Sequence, residues 1–343
     1  MNSGNDTINK RYAYKIMEKH PANILRIGLS VFIITILSFT GFTPKSPAPL
    51  KVFILAGQSN MVGHGEVEKG DRGNLNYLIG NDKKGEYQHL VDEKGDWKVR
   101  DDVFIYFNHQ EKIHTGGLTV GYGANENTIG PELQFGHVVG DHFDEDVLII
   151  KTAWGGKSLA VDFFPPGAAG ASGYKNRPIT PGDTGYYYVQ MLSIVNEVLG
   201  HLEDYVPSYE GQGYEIMGFG WHQGWNDRIN QAANDAYKEN MIRFIKEVRK
   251  DLGVSNLPFV LATTGMSGWE ETHPRALSLM EAQLAVADLP EFMGDVKVVE
   301  TRDFWREVED SPANQSYHWN RNAESYFLIG KSMGESMLDI LQP

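Results

Sequence analysis

Six short apolar runs, at residues 52–56, 103–107, 147–151, 216–220, 259–263 and 296–299, set the strongest constraint on how this chain can fold. They are rich in β-branched and aromatic residues and lack strict alternation, so they read as strands buried on both faces. Helical patterns lie at 132–140, 186–204, 231–252, 275–287 and 322–341. Strand alternating with helix implies an α/β fold with a mostly parallel sheet covered on both sides. One doubly wound domain spanning 50–343 accounts for all of these elements.

Composition narrows the chemistry. With 343 residues and 41% apolar side chains the chain can bury a large core, and the absence of cysteine excludes disulfides, thiolate catalysis and cysteine-based zinc sites. A formal charge of −14 argues against a nucleic-acid surface, which needs clustered cations to displace counterions. Neutral or cationic substrates suit it better.

Residues 1–49 differ from the remainder. Lys10, Arg11, Lys15, Lys19 and Arg26 precede an uncharged stretch at 27–39, and a proline-rich linker follows at 43–49. Such a stretch is short against the roughly twenty residues of a bilayer span, which favours a secretory leader over a permanent anchor. Export is expected. The alternative is an uncleaved leader, the only membrane contact expected.

The apolar run 52–56 leads directly into Gly57-Gln58-Ser59-Asn60-Met61. A strand ending in a tight turn lifts a hydroxyl to the carboxyl edge of the sheet, where ligands bind in open α/β folds. Ser59 is therefore a candidate nucleophile, although a serine here also fits a helix cap. A serine needs a base, and His318, in Ser316-Tyr317-His318-Trp319-Asn320 before the last helix, is the best placed of eleven histidines.

Two further turns follow strands. In Trp221-His222-Gln223-Gly224-Trp225-Asn226-Asp227, Gln223 and Asn226 offer amide donors for an oxyanion, while Asp227 is equally a helix cap. In Ala153-Trp154-Gly155-Gly156-Lys157-Ser158, adjacent glycines let backbone N–H groups point into a cleft. Two long polar segments, 63–102 and 163–185, read as walls of that cleft. His137 and His142, like His109 and His114, are five apart rather than the four that align two ligands on a helix face. No metal and no cofactor are expected.

Taken in order, Gly57-Gln58-Ser59-Asn60-Met61, Gly130-Pro131-Glu132, Trp154-Gly155-Gly156, Trp221-His222-Gln223-Gly224 and His318-Trp319-Asn320 resemble the sialate O-acetylesterase type of SGNH hydrolase, akin to carbohydrate esterase family six. The resemblance spans nearly all of 50–343. It implies a three-layer α/β/α sandwich of flavodoxin-like type and removal of acetyl groups from a sugar. It casts Ser59 as nucleophile, His318 as base, and Gly156 with Asn226 or Gln223 as the oxyanion hole. Gln58, Asn60, Glu132, Trp154 and Trp221 are expected around the substrate, Glu132 by supporting the nucleophile loop.

One position departs from that pattern. Gln315 stands where these enzymes commonly carry an aspartate three residues before the histidine. Either Ser59 and His318 act as a dyad, with a backbone carbonyl orienting the imidazole, or another carboxylate such as Asp227, Asp310 or Glu324 reaches it. Two other functions fit the same motifs: a non-catalytic carbohydrate-binding relative, and an acylhydrolase acting on non-carbohydrate esters. Trp154, Trp221, Trp225, Trp269 and Trp319 lie near the proposed loops, where aromatic faces either stack on sugar rings or fill the core.

Overall fold

The computed structural model describes residues 48–167 and 180–342. The leader expected before residue 48 lies outside them, as does the stretch 168–179 of the second long loop.

The strands in chain order are β1 (Leu50–Gly57), β2 (Gly65–Glu66), β3 (Val103–His109), β4 (Lys112–Gly117), β5 (Thr128–Ile129), β6 (Val147–Ala153), β7 (Tyr214–His222), β8 (Phe259–Ala262) and β9 (Val296–Val299). The helices are α1 (Ser59–Val62), α2 (Leu75–Gly80), α3 (Glu132–Gly140), α4 (Tyr186–Leu199), α5 (Trp225–Arg228), α6 (Gln231–Asp235), α7 (Tyr237–Leu252), α8 (Pro274–Leu284) and α9 (Ala323–Leu341).

Seven strands form the main sheet in the order β4-β3-β6-β1-β7-β8-β9. All neighbours are parallel except β3 and β4, which form an antiparallel hairpin at one edge. Setting that hairpin aside, the order β6-β1-β7-β8-β9 is the flavodoxin-like 2-1-3-4-5 arrangement. The chain crosses over β1 between β6 and β7, so the turns after these three strands meet at the switch point where open α/β sheets bind ligands.

Side-chain alternation builds two cores. Phe53 and Leu55 of β1 face α3 and α9, meeting Phe135, Ile329 and Met333. Val52 and Ile54 face α4 and α7, meeting Met191, Val195 and Phe244. Every residue of β1 is buried, and each large apolar side chain so sequestered contributes about 1.5–3 kcal/mol. That is the three-layer sandwich implied by the sequence.

Each of the six apolar runs coincides with one of the parallel strands, the run 259–263 extending one residue past β8. The segment read as one helix over 231–252 is two, α6 and α7, separated at Ala236. On either side of the break, Asn234 donates to the Arg275 carbonyl and the Tyr237 hydroxyl donates to Gln223, so different partners hold the two pieces. Strand β4 escapes an apolar-run search because its residues are exposed or half-buried. Its turn uses Gln110 and Glu111 at φ 50° and 63°, where hairpins usually place Asn or Gly.

The 63–102 segment, read above as a cleft wall, mostly packs elsewhere: Tyr87 rests on Phe327 of α9, and Asp82 accepts the backbone N–H groups of Lys84, Gly85, Glu86 and Tyr87.

At the end of β1, a Cβ added to Gly57 would lie 2.2 Å from the His222 carbonyl oxygen of β7. Gly57→Ala must push the two central strands apart and is expected to lower unfolding free energy by about 3 kcal/mol in urea titration.

Candidate active site

Ser59 opens α1 directly after β1 and is only 9% exposed, yet it lines a cavity of about 660 Å³ together with Gly156, Asn226 and His318. This size is typical of a small-molecule site. Trp154, Tyr187, Trp225 and Tyr317 supply aromatic walls, and His64, His109 and Gln110 complete one side.

Both neighbours of Ser59 act as staples. The Gln58 side-chain oxygen accepts the backbone N–H groups of Gly224 (3.1 Å) and Asn226 (3.3 Å), and its amide nitrogen donates to Asn226 Oδ1 at 3.3 Å. Asn60 donates to the Tyr317 carbonyl at 3.1 Å and accepts from the Tyr326 hydroxyl at 2.9 Å. One staple ties the serine turn to the turn after β7. The other ties it to the loop that carries His318. Gln58 also lines the cavity, whereas Asn60 does not, so the place expected for Asn60 at the substrate is taken by a structural contact.

Beneath the turn lies a buried ion pair. Lys151 Nζ of β6 contacts Glu132 Oε2, the Val62 carbonyl and the Tyr122 carbonyl, each at 2.7 Å. Glu132 also accepts the Gly130 N–H at 2.8 Å. Burial pushes the Glu132 carboxyl up and the Lys151 ammonium down, while each opposes the shift of the other. Glu132 thus sits below the nucleophile turn, fully buried and away from the cavity.

The turn after β6 places Gly156 at φ 71°, with open space where a side chain would project. Its N–H carries no hydrogen bond among the described residues. Asn226 donates one amide hydrogen to the Gly156 carbonyl at 2.9 Å, which joins the turns after β6 and β7.

Gln223 and Asp227 lie elsewhere. The Gln223 amide donates to the Lys157 carbonyl at 3.0 Å and to Asp227 Oδ2 at 2.6 Å, so its N–H groups are turned away from the cavity. Asp227 also accepts the N–H groups of Leu159 and Ala160, and burial raises its carboxyl pKa. Trp221, expected at the substrate, is fully buried with its indole N–H on the Tyr237 hydroxyl. Trp319 is likewise in the core, and exposed Trp269 lies against Arg302, while Trp154 and Trp225 reach the cavity.

His318 is held differently from Ser59. None of the three carboxylates considered reaches it: Asp227 is engaged as above, Asp310 pairs with Arg72, and Glu324 pairs with Arg306. Among the described residues no backbone carbonyl does either, because Nδ1 of His318 is buried without a hydrogen-bond partner there. Its ring lies flat on His64, with centroids 3.8 Å apart and planes 8° apart, and Tyr317 meets its edge at 4.6 Å. Burial, and then the Arg321 charge, push the His318 pKa down to about 4.

The backbone after His318 explains this loop. Trp319, Asn320 and Arg321 have φ of 52°, 52° and 59°, a left-handed turn without glycine. Each such residue costs about 1–2 kcal/mol, so other contacts must hold the turn. Asn320 accepts the Gln315 N–H and donates to the Arg306 carbonyl, Trp319 is buried, and Arg321 pairs with Glu66. Gln315 receives the Arg321 Nε–H at 2.7 Å, so the residue at the usual acid position clamps the turn. His64 and Tyr187 were missed because neither belongs to a strand-end motif; the Gly63–Gly65 context of His64 gave only a loop signal.

The family profile described as "Carbohydrate esterase, sialic acid-specific acetylesterase" matches residues 49–339. Among solved structures, a protein from Arabidopsis thaliana superposes with a TM-score of 0.53 at 18% identity, covering 84% of this chain and 98% of its own. The structure of NanS superposes with a TM-score of 0.52 at 14% identity, covering 87% and 99%. At these identities the likeness is one of fold. No curated protein matches the chain.

Removing one member of the buried pair strands the other's charge. Lys151→Met and Glu132→Gln are each expected to cost about 3–5 kcal/mol in denaturant unfolding. The double variant should recover part of that loss, since it leaves no net charge buried.

Proposed function

Because the chain belongs to the carbohydrate esterase family of sialic acid-specific acetylesterases, we propose that it removes O-acetyl groups from a carbohydrate through an acyl-enzyme on Ser59. The observation that carries this reading is the convergence of Ser59, His318, Gly156 and Asn226 on one cavity. The chain is a carboxylic ester hydrolase, and the residues gathered at this cavity support the roles assigned below.

In the proposed mechanism His318 accepts the Ser59 proton as the hydroxyl attacks the acetyl carbonyl. The developing oxyanion meets the N–H groups of Ser59 and Gly156 and the second amide hydrogen of Asn226, whose first is held by Gly156. Protonated His318 then passes its proton to the departing sugar oxygen, and water releases acetate by the same steps in reverse. Trp154, Tyr187, Trp225 and Tyr317 offer flat faces for a sugar ring. The leader pattern at 1–49 supports export, which places an acetylated polysaccharide or sialic-acid-like sugar within reach.

A second reading, a carbohydrate-binding relative without catalysis, draws on the unpartnered Nδ1 of His318. Acetate release from acetylated xylan or p-nitrophenyl acetate separates the two. Ser59→Ala is expected to abolish release, and a parent chain no faster than that variant would leave only binding. Acetyl esters should be cleaved faster than long acyl esters; the reverse order would make the protein a lipase-like acylhydrolase.

The base must be neutral to accept a proton. With the His318 pKa lowered to about 4, kcat/KM is expected to hold as pH falls past 6.5, the ordinary histidine value, and to drop only near 4. Circular dichroism at each pH keeps unfolding apart from titration, since protonating fully buried His222 also favours the unfolded chain.

A further inference from the structure

From the flat stack of its ring on His318, we infer that His64 is a positioning residue for the esterase reaction, fixing the base imidazole by ring contact where a hydrogen-bonded carboxylate is absent. This rests on the proposed role of His318. Three observations carry it.

The first is geometric. Centroids 3.8 Å apart and planes within 8° leave the His318 ring no freedom to rotate about its Cβ–Cγ bond without colliding with His64. Tyr317 closes the ring edge at 4.6 Å. The side chain has a fixed orientation without any hydrogen bond to Nδ1.

The second is polar. Nδ1 of His64 is also buried without a partner. The contact that the structure does give the His64 ring is the stacked face it presents to His318. The backbone supports the ring from below: His64 follows Gly63, just past the Val62 carbonyl held by Lys151, and the Tyr326 hydroxyl contacts the His64 backbone as well as Asn60.

The third is electrostatic. The charged groups that act on the pair are Arg321 of the same loop as His318 and Lys151 of β6, with His109 of β3 as a further titratable neighbour. Arg321 is paired with Glu66 and Lys151 with Glu132, and among the described residues no carboxylate is a partner of either imidazole. Burial, then His318 and the cations, lower the His64 pKa to about 3, so both rings are neutral near neutral pH and a proton on one disfavours a second on the other. A neutral ring can stack on the base before and after proton transfer. Two charged rings could not.

The test compares His64→Phe, which keeps an aromatic face, with His64→Ala, which removes it, alongside Ser59→Ala. His64→Ala is expected to fold by circular dichroism and to lose kcat about tenfold to a hundredfold with KM little changed, the cost of a misplaced base. His64→Phe should restore kcat to within about threefold, because only the stacked face is needed. In a Ser59→Ala background, NMR titration of the His318 ring should give a midpoint near 4 with His64 or its Phe replacement present. That midpoint should move toward 6.5 in His64→Ala, as the ring opens to water.

Unchanged kcat and an unmoved midpoint in His64→Ala would overturn the inference, as would a His64→Phe chain as impaired as His64→Ala. Acetate release that survives Ser59→Ala would overturn the esterase mechanism instead. The ring titration then still reads the His64 contact by itself.

Discussion

A buried ammonium group underlies the geometry of the site. Lys151 has no exposed surface, and an unpaired charge there would cost several kcal/mol. It is tolerated because three oxygens from separate segments converge on it: Glu132 at the start of α3, Val62 at the end of α1, and Tyr122 in the loop before β5. The Phe107 ring lies 4.4 Å from the same atom and adds an aromatic contact. Satisfying one cation thus fixes where the serine turn ends, where α3 begins and how the chain between them runs.

Above that floor, the two halves of the proposed catalytic pair are positioned by different physics. Ser59 sits between two amide side chains whose hydrogen bonds reach the turn after β7 and the loop of His318. Among the described residues Nδ1 of the His318 ring has no such bond, and the ring lies against His64 and Tyr317. Hydrogen bonds hold direction steeply at a fixed distance, whereas ring stacking holds a plane. The second arrangement leaves the proposed base poorly solvated and near the Arg321 charge, which is why its pKa falls.

Gln315 holds the loop of His318 in shape. Its side chain receives Arg321 and donates to the Tyr317 hydroxyl, holding a left-handed turn that presents His318. The fold that surrounds this loop is shared with solved structures below 20% identity. Shared architecture sets the strand ends in place, while the chemistry depends on which side chains the turns carry.

The sequence by itself determined the layers. Apolar runs buried on both faces can only lie in a covered parallel sheet, and the turn motifs at the ends of β1, β6 and β7 therefore had to gather at one edge. Ser59, Gly156, Asn226 and Trp154 could be placed at that edge for this reason, since strand ends and local turn chemistry are properties of short segments, whereas His318 lies in the loop before α9 and was singled out by its motif. Tertiary structure alone decided which polar groups were left to face the cavity. Gln223, Asp227 and Glu132 carry the right atoms, but each is engaged by a partner 19 to 68 residues away in the chain: Lys157, Leu159 and Lys151 respectively. Trp221 and Trp154 are the same residue type beside similar motifs, and only packing sends one into the core and the other to the site. The His64–His318 stack joins residues more than two hundred positions apart without a motif or a hydrogen bond. Contact between ring faces has no periodicity to betray it, so it exists only once the chain is folded.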